Sequence, residues 1–208
     1  MKRNSNLFFV FLLFIGCQPA DLQLEMAQEF LPSEALLKQG VVNKYYFHFA
    51  SHDDYEKTTD VGYTLLKVEK PGQLIWENYD AAMQLTRGRL FELKGSEMHM
   101  IRETVVMRGD TSYSTIKKPI IVDWATGESE FEKEIKMPRG LNQWEIQGVG
   151  FKDTSVMNLP ARIYYKDFKT VFRNYKDTVE RAFLLKDLVV QGYGPFSYEY
   201  DNLSLIHI

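Results

Sequence analysis

Three arginines occupy positions where arginine needs a reason. Read as strands, residues 83–93 place Arg87 and Arg89 on one face with Met83, Leu85, Phe91 and Leu93, and residues 98–107 place Arg102 with Met98, Met100 and Val106. A guanidinium is always charged and forks onto carboxylates, so on a greasy face it can grip a head group at the mouth of an apolar cavity. The structural alternative is that the strands twist the arginines toward solvent or pair them with Glu92 and Glu103. A second cluster, His48-Phe49-Ala50-Ser51-His52-Asp53-Asp54, carries the imidazoles and carboxylates that metal sites use. Its spacing matches no recognised site, and a strand running into a solvated turn explains it, so neither a metal nor a cofactor is expected. Gly-x-Ser-x-Gly and His-Glu-x-x-His do not occur, and the acidic residues at 128, 130, 132 and 134 alternate onto one regular, solvated face. No enzymatic activity is expected.

The remaining reactive side chain is Cys17, the sole cysteine. Lys2 and Arg3 form a basic start, and residues 7–15 are an unbroken apolar run, too short to cross a bilayer by the rule of about 20 residues. Leu12-Leu13-Phe14-Ile15-Gly16-Cys17 resembles the lipobox of bacterial lipoproteins, with Phe14 where that family usually carries Leu or Val. The resemblance implies cleavage before Cys17 and a lipid on its thiol, which would attach the chain to the membrane. Gln18, rather than Asp, follows the cysteine, and by the sorting scheme of diderm bacteria that implies the outer membrane, on its periplasmic face or at the cell surface.

These readings divide the chain into a signal peptide over 1–16, a lipidated tether over 17–32 and a single domain over 33–208. Of 208 residues, 192 lie from Cys17 onward, enough for one domain with a sizeable core and no internal disulfide. Without Lys2 and Arg3 the balance is 23 basic against 28 acidic residues, which argues against nucleic acid and against a surface that clings to anionic lipid.

The elements that must position the arginines are strands. In Ser33-Glu34-Ala35-Leu36-Leu37-Lys38-Gln39-Gly40, a cap residue, an acidic first turn, a basic last turn and a closing glycine predict one short helix. Beyond Gly40, aromatic and β-branched residues alternate with turn clusters, the signature of an antiparallel meander. Strands are expected over 41–50, 63–69, 74–79, 83–93 and 98–107, with a polar loop over 51–60. Pro119 predicts an edge strand or a break within 112–124. The clearest alternation follows, with residues 128, 130, 132, 134 and 136 polar and Phe131, Ile135 and Met137 buried. Gly148-Val149-Gly150 marks a bulge or a tight approach within a strand over 144–152, and a Pro160-containing connection comes next. Residues 161–186 fit either two strands joined at 174–177, the favoured reading, or a helix. A final hairpin turns at Gly192-Tyr193-Gly194-Pro195.

The fold class is therefore mainly β, a meander of about ten strands forming a curved half-barrel or a barrel, with one short N-terminal helix. A lipid-anchored meander ending in a strand, a Gly192-Tyr193-Gly194 turn and a strand is similar to the open half-barrels of periplasmic lipoprotein-carrier families. That resemblance implies a curved sheet that shelters acyl chains. Two functions follow as expectations: a domain that binds a hydrophobic or amphiphilic ligand, or a non-enzymatic subunit that docks onto an envelope protein complex. The first requires an apolar cavity with polar groups at its mouth, and the second a filled core with an outward apolar patch.

Overall fold

The computed structural model describes residues 29–49, 58–107, 109–137, 140–174 and 176–207. Helix α1 (Glu34–Gln39) is followed by eleven strands: β1 (Val41–Phe49), β2 (Thr58–Lys70), β3 (Gln73–Tyr79), β4 (Leu85–Lys94), β5 (Glu97–Met107) and β6 (Asp110–Asp123), then β7 (Glu130–Met137), β8 (Gly140–Val156), β9 (Leu159–Arg173), β10 (Thr178–Val190) and β11 (Gly194–His207). They form one sheet in sequence order, every neighbouring pair antiparallel. The sheet is open, since β1 and β11 are its two ends. It is also curved, because Thr64 on β2 and Val189 on β10 line the same cavity. The architecture is a half-barrel.

Local chemistry accounts for most of the boundaries. The Leu36 N–H donates to Ser33 Oγ at 3.4 Å, and Gly40, at φ 85°, returns its N–H to the Leu37 carbonyl. Pro71 and Gly72 turn β2 into β3, with Gly72 at φ 73°. Residues 174–177 join β9 to β10, where the Lys176 and Asp177 N–H groups donate to Asn174 Oδ1. Residues 161–186 are thus two strands and not a helix.

Tertiary pairing moves several boundaries. Thr58 to Asp60, assigned by the sequence to a loop, pair with β1, while residues 50–57 lie outside the described residues. Pro119 sits in a central strand and pairs with Phe131 of β7; the break lies in the β5–β6 ladder, which has no pairing between His99–Ile120 and Thr104–Tyr113. A proline has no N–H to give, so losing the ladder on that side is consistent with it. Pro160 lies within β9 opposite Ser155, and the connection is the two-residue turn Met157-Asn158, both at positive φ. Gly148 is both bulge and close approach. The β8–β9 register shifts between Gly148 and Gly150, and a Cβ on Gly148 would lie 2.4 Å from the Gly127 carbonyl oxygen.

The core lies under the concave face, toward the end from which α1 enters. Leu74, Phe91, Met98, Val122, Trp124, Phe131 and Tyr164 are each 5% exposed or less. Phe30 and Leu31, placed in the tether by the sequence, are buried with them. Phe30 stacks on Trp124 with ring centroids 6.2 Å apart, and the Arg162 guanidinium lies over both Phe30 and Phe151. Arg162 Nη1 and the Tyr164 hydroxyl both donate to the Trp124 carbonyl, and the Gly192 N–H donates to the Glu29 carbonyl. The segment before α1 therefore closes that end of the half-barrel.

Candidate functional site

Strand register lays the inner face out in rows, each about 7 Å from the next at two residues per row. Val68, Leu74, Phe91 and Met100 make the row nearest the closed end. Leu66, Trp76, Arg89 and Glu103 make the next, and Thr64, Asn78, Arg87 and Val105 the one beyond. Chemistry changes from apolar to charged over three rows. Between them and strands β6 to β10 lies a cavity of about 320 Å³, whose far wall supplies Trp124, Phe131 and Tyr164 as well as Lys133, Lys166 and Asp187.

The centre of the charged end is Glu103, which is fully buried. Its Oε1 accepts from Arg89 Nε at 3.2 Å and faces Arg87 Nε at 3.6 Å. Its Oε2 accepts from Ser114 Oγ at 2.6 Å and from Lys133 Nζ. Burial alone would raise the Glu103 carboxyl, but the charges of Lys133, Arg89 and Arg87 overcome it and hold the pKa at about 2. Lys133 moves the opposite way in its preference for charge. Burial pushes its ammonium down to about 7, the nearby Arg87 and Arg89 assisting and Glu103 resisting. The two directions share one geometric cause, three cations converging on one carboxylate, so the anion is held charged while the most buried cation is the one least able to stay so. Lys133 and Arg87 also lie over the Trp144 ring, 3.8 and 5.2 Å from its centroid. A second buried pair, Lys166 with Asp187 at 2.7 Å, stands on β9 and β10.

Buried side-chain polar atoms without a hydrogen-bond partner among the described residues are Trp76 Nε1, Asn78 Oδ1, Trp124 Nε1 and Asp187 Oδ1. All four belong to residues lining this cavity. Each such atom costs about 1–3 kcal/mol if left unpaired, so a polar group entering this cavity could recover part of that cost.

Of the arginines singled out from the sequence, Arg87 and Arg89 line the cavity, and both face Glu103, the neighbour the structural alternative named. Arg102 does not join them: it is exposed on the outer face. The cause is a bulge. In the β4–β5 ladder Leu90 pairs with Arg102 and Phe91 with Met100, so Ile101 is an extra residue that inverts the alternation. Met98 and Met100 point inward before it, Glu103 and Val105 after it. Glu92 pairs with Lys94 at 3.0 Å. Cys17, His52 and Asp54 lie outside the described residues, as does the side chain of His48.

Sequence reasoning passed over Lys133, Lys166 and Asp187, and named Glu103 only as a neighbour with which the arginines could pair. For Lys133 the signal was present, because it stands between Phe131 and Ile135 on the buried parity of β7 and is 2% exposed. For Glu103 there was none, since its inward position depends on the bulge. Compared with protein-family models, curated proteins and solved structures, the chain finds no match. The chemistry of the cavity therefore carries the functional argument by itself.

Proposed function

We propose that this chain is an envelope lipoprotein, anchored through lipid on Cys17 to the outer membrane, whose half-barrel binds a hydrophobic or amphiphilic ligand. The observation that carries the binding reading is the 320 Å³ cavity, apolar at the end closed by Phe30 and charged at the end marked by Arg87, Arg89 and Glu103. Its size falls at the low end of small-molecule sites, which run from roughly 300 to 1,000 Å³. The anchor rests on the sequence around Cys17. Bound lipid there would hold the cavity close to a membrane without any spanning helix.

Native mass spectrometry of the chain from Gln18 onward, which keeps every described residue, tests the binding reading. A co-purified amphiphile released on denaturation is the expected result. An empty protein that also fails to take up a fluorescent fatty acid would sink it. The anchor is tested separately: labelled palmitate enters the full-length chain, and Cys17→Ser abolishes the label.

The second reading, a docking subunit of an envelope complex, has one observation in its favour. Met157, 87% exposed at the tip of the β8–β9 hairpin, is followed by the exposed Leu159. Two apolar side chains on one turn make a smaller surface than a stable interface needs, which is about 1,000 Å² or more.

A further inference from the structure

The charges inside the cavity are unequal. Arg87, Arg89 and Lys133 face the single carboxylate of Glu103, while Lys166 and Asp187 cancel each other as a pair. No other charged side chain lines the cavity among the described residues. A surplus of positive charge in a largely desolvated site is costly unless a further anion offsets it. Arg89 and Lys133 alone outnumber Glu103, so one more carboxylate would bring the cluster toward balance.

Donors are placed for such an anion. Arg89 engages Glu103 through Nε, and no other hydrogen bond of its guanidinium is made to the described residues, so its two terminal nitrogens keep their donors. Directly across the β3–β4 ladder from Arg89 stands Trp76, whose Nε1 has no acceptor among the described residues. Asn78 stands across from Arg87 in the same ladder, and its Oδ1 has no partner among the described residues, at a position where the amide can be turned to present its NH2 instead. Below this row the wall turns apolar at Phe91 and Met100 and ends at Trp124, 2% exposed with its own indole N–H unpaired.

We infer that the cavity takes a single-chain amphiphile with a carboxylate head, the head held by Arg89 and Arg87 beside the Trp76 indole N–H, the chain lying over Phe91, Met100 and Trp124. This rests on the amphiphile-binding reading above and adds the sign and chemistry of the head group. A guanidinium fork matches the two oxygens of a carboxylate, and the volume suits one chain better than two. The larger cleft of about 640 Å³ beside α1 does not compete, because among the described residues the charged ones lining it are Glu29 and Glu34, which would repel an anion.

The test uses the delipidated chain from Gln18 onward and a fluorescent long-chain fatty acid displaced by three ligands of equal chain length: hexadecanoate, hexadecan-1-ol and hexadecyltrimethylammonium. Hexadecanoate is expected to bind at least about tenfold more tightly than the alcohol, the size of a charge-assisted hydrogen bond, and the ammonium compound more weakly still. Arg89→Gln should erase the preference for the acid over the alcohol, and Arg89→Lys should restore part of it. Acid and alcohol binding equally well would overturn the head-group inference and leave the cavity reading intact. Tighter binding of the ammonium compound would overturn it too. If no chain of any head group binds, the cavity reading itself falls, and the inference with it. The wild-type comparison of acid with alcohol decides the matter even where a variant fails to fold.

Discussion

Strand β7 carries lysine–glutamate chemistry on both of its faces, and the two faces behave differently. Outside, Glu130, Glu132 and Glu134 meet Lys117 and Lys118 of β6 in pairs at 2.5 to 3.3 Å, with every lysine more than 40% exposed. Inside, Lys133 meets Glu103 with neither side chain more than 3% exposed. Water screens the outer pairs and replaces either partner at little cost, so they decorate the sheet without holding it. The inner pair has no such substitute, and its neighbours Arg87 and Arg89 tie three strands into one charge balance. The same residue types, one position apart, are solvated ornament on one face and structural commitment on the other. Burial makes the difference.

The sharpest way to break this contrast is Glu103→Gln. It leaves Arg87, Arg89 and Lys133 converging without a counter-charge, and should cost about 3–5 kcal/mol in urea unfolding, as for other buried pairs stripped of one partner. A loss below about 1 kcal/mol would mean that the inner cluster is as well solvated as the outer one. Phe30→Ala tests the apolar end: removing a buried ring that stacks on Trp124 should cost about 3 kcal/mol and open the closed end of the cavity. Lys133→Met should cost less, about 1 kcal/mol near neutral pH, because Glu103 keeps two arginines and Ser114.

The pH dependence sharpens the same comparison. Glu103 is lowered to about 2 in the fold, so its stabilisation is complete above the ordinary glutamate value and lost as pH falls toward 2. Lys133 is lowered to about 7, so its charging penalty is complete below that pH and fades as pH rises toward the ordinary lysine value of 10.5. The wild-type advantage over Glu103→Gln should therefore shrink between pH 4.5 and 2. Lys133→Met should gain on the wild type as pH falls from 10.5 to 7. The smallest effect belongs to the outer face, where Lys117→Gln should leave the melting temperature unchanged at moderate salt.

Strand class and order were legible because they rest on short-range chemistry. Ser33 and Gly40 bound a helix, Pro71-Gly72 and Asn174 turn the chain, and period-two alternation on β7 tells inside from outside. The parity of Arg87 and Arg89 followed from the same rule and put them on the inner face with Phe91. Arg102 did not follow it, because one inserted residue at Ile101 inverts every side chain after it. Nothing local marks that residue: a bulge is chosen by how two neighbouring strands must bend together. The burial of Phe30 was equally invisible, since the partners that cover it, Trp124 and Arg162, arrive more than ninety residues later.

By itself, then, the sequence determined the elements and their antiparallel order, which depend on neighbours within a few residues. Only the tertiary structure decided which face is concave and that β5 and β7 deliver Glu103 and Lys133 to one point across β6. It also decided which arginines join them. Those outcomes depend on sheet curvature and on a single register shift, and both are properties of paired strands that no one stretch of chain contains.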